Sequence, residues 1–152
     1  MKKVFMILAC GVVVLVCVAL IVGYSTSSPA QHLQGQPHIE QIATVDYVVD
    51  GDTINLQGGE KVRLVGVDAP ETSPSEGSKA REFIENFCPP GVVIGLDVDD
   101  LNQIDRYGRT IAVVYAKIEG FWVNLNAELL RRGYAEIMFI PPSEFNPYKW
   151  FA

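Results

Sequence analysis

Between residues 39 and 67 apolar and polar side chains alternate in short runs, and glycine-containing pairs break the alternation. Residues 39–49 carry the β-formers Ile42, Val45, Tyr47 and Val49, and Asp50-Gly51 then signals a turn. Residues 53–57 read as a second strand, Gly58-Gly59 as a second turn, and residues 61–67 as a third strand. Three short strands joined by tight turns make a meander. The period then changes. Ala80, Phe83, Ile84 and Phe87 recur at i, i+3, i+4 and i+7, the apolar face of a helix. Ser73, Pro74 and Glu76 supply a cap, a first-turn proline and a capping box, and Cys88-Pro89-Pro90-Gly91 stops the helix. Residues 92–98 form a fourth strand, 99–108 a polar loop and 109–117 a fifth strand. A hairpin returns through Gly120 into Phe121-Trp122-Val123. Asn126 is expected to cap a short second helix that stops at Gly133, and an apolar stretch at 135–140 runs into Pro141-Pro142. Five strands in this order, with a helix between the third and fourth, predict an α+β, mainly β chain. The expected architecture is a five-stranded OB-fold β-barrel with two or three short helices.

A different pattern precedes the barrel. Residues 4–23, VFMILACGVVVLVCVALIVG, are uninterruptedly apolar. Roughly 20 such residues span a bilayer as a helix. Lys2 and Lys3 precede the run, and no Lys or Arg follows until Lys61. This asymmetry keeps the N-terminus in the cytoplasm and sends the remainder outside. An uncleaved anchor and a cleaved signal peptide both fit. Residues 25–38, rich in Ser, Pro and Gln, read as a flexible linker. They hold both histidines, His32 and His38, which read as incidental linker residues and not as metal ligands. The expected organisation is an anchor or signal at 1–24, a linker at 25–38 and a domain at 39–152, extracytoplasmic and membrane-anchored or secreted.

Cysteine and charge narrow the chemistry. Cys10 and Cys17 lie in the apolar run, so Cys88 has no partner in the domain. There is no disulfide framework and no zinc-type cysteine spacing. Cys88 reads as a small buried hydrophobe. Eighteen acidic residues against 12 basic ones give a net charge of −6. That argues against a broad basic footprint for nucleic acid but allows a local cationic site.

Such a local cluster exists. Asp52 begins the second strand, and Arg63 and Asp68 lie on the third. In a meander the start of one strand lies beside the end of its antiparallel neighbour, so Asp52 and Asp68 can share one rim. Two adjacent carboxylates repel unless a cation lies between them. A hard divalent ion accepts such oxygens and keeps sites for water and phosphate. Glu71 follows on a loop near that rim, as a carboxylate able to take a proton from water. Arg63 can hold a phosphate bidentately, and Asp105-Arg106-Tyr107-Gly108-Arg109 adds two arginines and an aromatic. Taken singly, Asp52 is a turn acid, Glu71 a loop residue and Arg63 a strand-surface charge. Together they are the parts for cleaving a phosphodiester.

Asp50-Gly51-Asp52-Thr53, the run from Arg63 to Thr72 (RLVGVDAPET), and Asp105 to Arg109 (DRYGR) resemble the three signatures of the staphylococcal nuclease (thermonuclease) family. NAELLRRGYA, from Asn126, resembles its second helix and exit. The resemblance covers roughly residues 39–140. It implies an OB-fold barrel and calcium-dependent hydrolysis of DNA and RNA, leaving 3′-phosphate and 5′-hydroxyl ends. It implies that Asp52 and Asp68 bind Ca2+ through side chains and Ala69 through its carbonyl. Glu71 would be the general base, Arg63 and Arg109 would hold the phosphate, and Arg106 and Tyr107 would contact substrate. There are departures. Ser73 to Glu76 is shorter than the family's lysine-rich loop. Phe139 and Pro141 stand where tyrosines are found. The chain ends at Trp150-Phe151-Ala152, where the family usually has a third helix. A non-catalytic OB module that binds single-stranded nucleic acid is the alternative. The protein is expected as a monomer.

Overall fold

The computed structural model describes residues 36–70 and 77–151. The apolar run at 4–23, most of the expected linker, Glu71 and the capping box from Ser73 to Glu76 lie outside the described residues. The elements run β1 (Gln41–Val48), β2 (Thr53–Leu56), β3 (Lys61–Leu64), β4 (Gly66–Asp68), α1 (Gly77–Phe87), β5 (Val93–Val98), β6 (Thr110–Ile118), β7 (Phe121–Asn124), α2 (Leu125–Arg131) and β8 (Glu136–Met138). A 3-10 turn, Pro147–Phe151, follows.

The main sheet has the order β3-β2-β1-β5-β6-β7. It closes because β3 also pairs with β6, in parallel, with Arg63 opposite Ile111 and Leu64 opposite Ala112. Closure leaves no unpaired edge between β3 and β6. Five strands thus form a barrel, with β7 added on the far side of β6. Alternating side chains fill it: Val45, Ile54, Leu56, Val62, Leu64, Ile94, Leu96 and Val114 are buried. Helix α1 sets Ala80, Ile84 and its following Cys88 into this core, and α2 adds Leu125 and Leu129. Burial pushes the Cys88 thiol up to about 12, so it is an inert core group. Among the described residues the architecture is the expected mainly β OB-fold with two α-helices.

Three details differ from the expectations. The third strand does not run through 61–67. It breaks at Val65, and β4 turns away to pair with β8, with Val67 opposite Ile137. Gly66 makes the break with φ +74°, and a Cβ there would lie 3.0 Å from Trp150 and 3.1 Å from Pro147. Only glycine combines that left-handed backbone with so close an approach. The tail from Pro147 therefore packs over the break, and Trp150 lies against the core.

The second helix is capped by Asn124, not Asn126: Asn124 Oδ1 accepts from the Ala127 N–H at 2.9 Å. Asn126 is fully buried and serves the barrel instead. Its Oδ1 accepts from the Val114 N–H at 2.9 Å, and its Nδ2 donates to the carbonyls of Val65 (2.8 Å) and Ala112 (3.2 Å). One side chain thus satisfies the backbone where β3 ends against β6.

His38, expected in a flexible linker, is placed against the barrel. Its Nδ1 lies 3.0 Å from Asp97 Oδ1 on β5.

Candidate active site

Asp52 follows the turn between β1 and β2. Its own N–H donates to Asp50 Oδ1 at 3.1 Å, which tightens that turn. Gly51 permits the fold here: a Cβ on it would meet Ala80 of α1 at 2.6 Å and Ala69 at 2.7 Å. The turn, the helix and the segment after β4 thus converge without side chains between them. Asp52 is buried, and both its oxygens are engaged. Thr53 Oγ1 donates to Oδ1 at 3.0 Å, and the Ala69 N–H donates to Oδ2 at 3.1 Å.

Arg63 sits opposite Thr53 in the β2–β3 ladder, so its side chain reaches back to the same place. Its Nη2 lies 3.3 Å from Asp52 Oδ2 and 3.5 Å from Asp68 Oδ1. Its Nη1 donates to the Leu64 carbonyl at 2.9 Å. Burial pushes the Asp52 carboxyl above the usual aspartate range, although Arg63 and the Ala69 N–H pull the other way. Asp68 is half-exposed at the end of β4.

The second half of the site is the turn before β6. Asp105 organises it. Its Oδ1 accepts from the N–H groups of Tyr107 (2.8 Å) and Arg109 (2.9 Å), and its Oδ2 accepts from Arg109 Nε at 2.7 Å. Burial acts to raise the Asp105 carboxyl. The Arg109 contacts and the Tyr107 N–H outweigh it and hold the group below the usual range. Arg109 Nη1 then donates to Thr53 Oγ1 at 3.2 Å. Thr53 is therefore the link between the two halves, bonded to Asp52 on one side and Arg109 on the other. Tyr107 is exposed, with the guanidinium carbons of Arg106 and Arg109 4.8 Å and 5.3 Å from its ring centroid.

These groups line one cleft of about 660 Å³. Asp52, Arg63, Asp68, Arg106, Tyr107 and Arg109 all face it. Ala69 is buried behind Asp52, and Glu71 lies outside the described residues. Thr53, Asp99 and the apolar wall residues Met138 and Ile140 carry no role in the sequence, whereas Phe139, on the same wall, stands where the family has a nucleotide-site tyrosine. Met138 comes to the cleft through the β4–β8 pairing and lies 3.8 Å from Arg63 Nη2 at its sulfur. Asp99 is fully buried at the cleft. Its Oδ1 accepts from Leu101 and Glu144 N–H groups, while its Oδ2 has no partner among the described residues.

A single guanidinium nitrogen touches both Asp52 and Asp68, so one small cation can do the same. Two carboxylates, one buried and one open to the cleft, form an oxygen-only donor set that fits a hard divalent ion.

Residues 61–151 match the family described as Staphylococcal nuclease homologue. The chain belongs to this family. The match contains Arg63, Asp68, Ala69, Glu71 and the turn from Asp105 to Arg109, while Asp52 precedes it. Curated relatives agree. The chain is 38% identical over 113 residues to Endonuclease YhcR of Bacillus subtilis, covering 64% of this chain and 9% of that protein. It is 36% identical over 109 residues to the thermonuclease of Staphylococcus intermedius, covering 66% of this chain and 61% of the other. It is 33% identical over 96 residues to the micrococcal nuclease of Shigella flexneri, covering 58% and 53%. The chain thus spans less than two thirds of each of these relatives.

Proposed function

We propose that this member of the family is a nuclease that hydrolyses phosphodiester bonds of DNA and RNA with Ca2+, outside the cytoplasm. The observation that carries the proposal is one cleft that brings Arg63 and Arg109 together with Asp52 and Asp68. Nuclease names among the relatives support the same chemistry. Asp52, Asp68 and the Ala69 carbonyl would hold the ion. A hard ion bound there neutralises phosphate charge and polarises the phosphorus–oxygen bond.

The chain's own groups do the rest. Arg109 is held by Asp105, so its guanidinium is oriented before substrate arrives. Arg63 contributes a second guanidinium from β3, the strand that pairs with β6. Both would grip the non-bridging oxygens and stabilise the charge that builds on them. Glu71 would accept the proton of the attacking water. Water enters in line as the P–O5′ bond breaks, and the departing 5′-oxygen takes a proton from solvent, which leaves 3′-phosphate and 5′-hydroxyl ends. Arg106 and Tyr107 would contact the strand beside the scissile bond.

Exposed aromatics on the cleft wall, Tyr107 and Phe139, favour strand binding as well as cutting. Binding without hydrolysis is therefore the second reading. We further propose that the enzyme is a monomer, anchored or exported through residues 4–23. The test of the reaction class is end-group analysis of a cleaved oligonucleotide. Phosphatase-sensitive 3′ ends and free 5′-hydroxyls support it, whereas 5′-phosphate ends would place the chemistry in another class.

A further inference from the structure

Ahead of β1 the chain continues the ladder with β5. The Glu40 N–H donates to the Leu96 carbonyl at 2.9 Å, and the Val98 N–H donates to Glu40 Oε2 at 3.1 Å. Gln41 stands opposite Leu96, and one step further along this register sets Glu40 opposite Asp97. Alternation along an extended chain puts His38 on the same face as Glu40. His38 Nδ1 lies 3.0 Å from Asp97 Oδ1. One donor atom from each of His38, Glu40 and Asp97 lies within 4.8 Å of the other two.

Carboxylates that face each other across paired strands repel. Among the described residues no lysine or arginine forms an ion pair with Glu40, Asp97 or the neighbouring Asp100 and Glu144. The Asp100 N–H donates to Glu144 Oε1 at 2.7 Å, which adds a further carboxylate to this corner. Hydrogen bonding and charge from Asp97 raise the His38 imidazole above its ordinary value, with Glu40 and Glu144 acting the same way. The corner is built to hold positive charge, and among the described residues His38 is the basic group that pairs with it.

We propose that His38, Glu40 and Asp97 form a second metal site, made of residues apart from the Asp52–Asp68 rim, which takes a divalent transition-metal ion such as Zn2+. An imidazole nitrogen with two carboxylates suits Zn2+ and similar ions, while Ca2+ takes oxygen ligands. Two donors at the tetrahedral angle, each about 2.1 Å from one ion, stand about 3.4 Å apart. Nδ1 and Oδ1 are 3.0 Å apart, so a small side-chain adjustment admits the ion. Three protein ligands leave further positions for water. His38 is exposed at the surface, so the ion has an entry path, while Asp97 is buried and preset by β5. The bound ion would tie the segment before β1 to the barrel and stabilise the folded state.

The test is calorimetric titration of Zn2+ into the full chain with saturating Ca2+ present, so that hard-ion sites are filled. The expected result is stoichiometric Zn2+ uptake and a Zn2+-dependent rise in melting temperature. Both weaken by about tenfold or more in His38→Ala and in Glu40→Gln. Both substituted side chains are exposed, so each variant folds, and its Zn2+-dependent shift is read against its own melting temperature without Zn2+. Equal titration curves for wild type and both variants would overturn the proposal. So would loss of Zn2+ uptake whenever Ca2+ is present.

Discussion

Arg63 Nη2 lies 3.3 Å from Asp52 Oδ2, and both side chains are largely buried in the cleft wall. The same nitrogen touches Asp68, so the guanidinium stands between the two acids proposed to bind Ca2+. Its charge and the ion compete for the same carboxylates. Arg63→Ala should therefore bind Ca2+ several-fold more tightly, by calorimetry, while cutting about 100-fold or more slowly. Weaker Ca2+ binding in the variant would show that Arg63 supports the ion site instead of opposing it.

Asp105 is expected to set both the geometry of Arg109 and a pH-dependent part of stability. Its folded pKa is depressed, so its contribution is present above the ordinary value of 3.8 and is lost as pH falls through the folded pKa. Asp105→Asn should melt below wild type at neutral pH, and the gap should narrow steadily below pH 3.8. A gap that stays constant to the lowest accessible pH would assign the loss to packing.

Asn126→Ala leaves the Val114 N–H and the Val65 and Ala112 carbonyls without their side-chain partner. The expected loss is about 3 kcal/mol of unfolding free energy in urea, since buried unpaired groups carry their full desolvation cost. A change below about 1 kcal/mol would mean that water replaces the amide.

Gly51→Ala places a methyl group within 2.7 Å of Ala80 and Ala69. Overpacking of this kind costs about 1–3 kcal/mol. Because Ala69 also donates to Asp52, Ca2+ affinity should fall along with the melting temperature. Unchanged affinity in a destabilised variant would separate the turn from the ion site.

The barrel was legible in the sequence because alternation and turn glycines act over a few residues. The Val65–Gly66 break was not, since the apolar stretch from Leu64 to Val67 hides it, and only the packed tail at Trp150 reveals the need for glycine. Asn124 and Asn126 are both good cap residues by type, and burial alone decides between them. At the site, Asp52, Arg63 and Asp68 stood out because charged groups at strand ends and turns are conspicuous. Thr53 did not, because its role depends on Arg109, 56 residues away. His38 was lost in a polar stretch for the same reason: its partner Asp97 is 59 residues further on.

The cleft of Arg63, Arg109, Asp52 and Asp68 is proposed to cut nucleic acid with Glu71 as the base. The most direct test is hydrolysis of single-stranded DNA by the full chain, with Ca2+ or with chelator, beside Glu71→Gln. The expected result is cleavage with Ca2+, none with chelator, and a rate about 100-fold or more lower in the variant. No cleavage by a folded chain that binds both Ca2+ and DNA would contradict it and leave a binding module in its place.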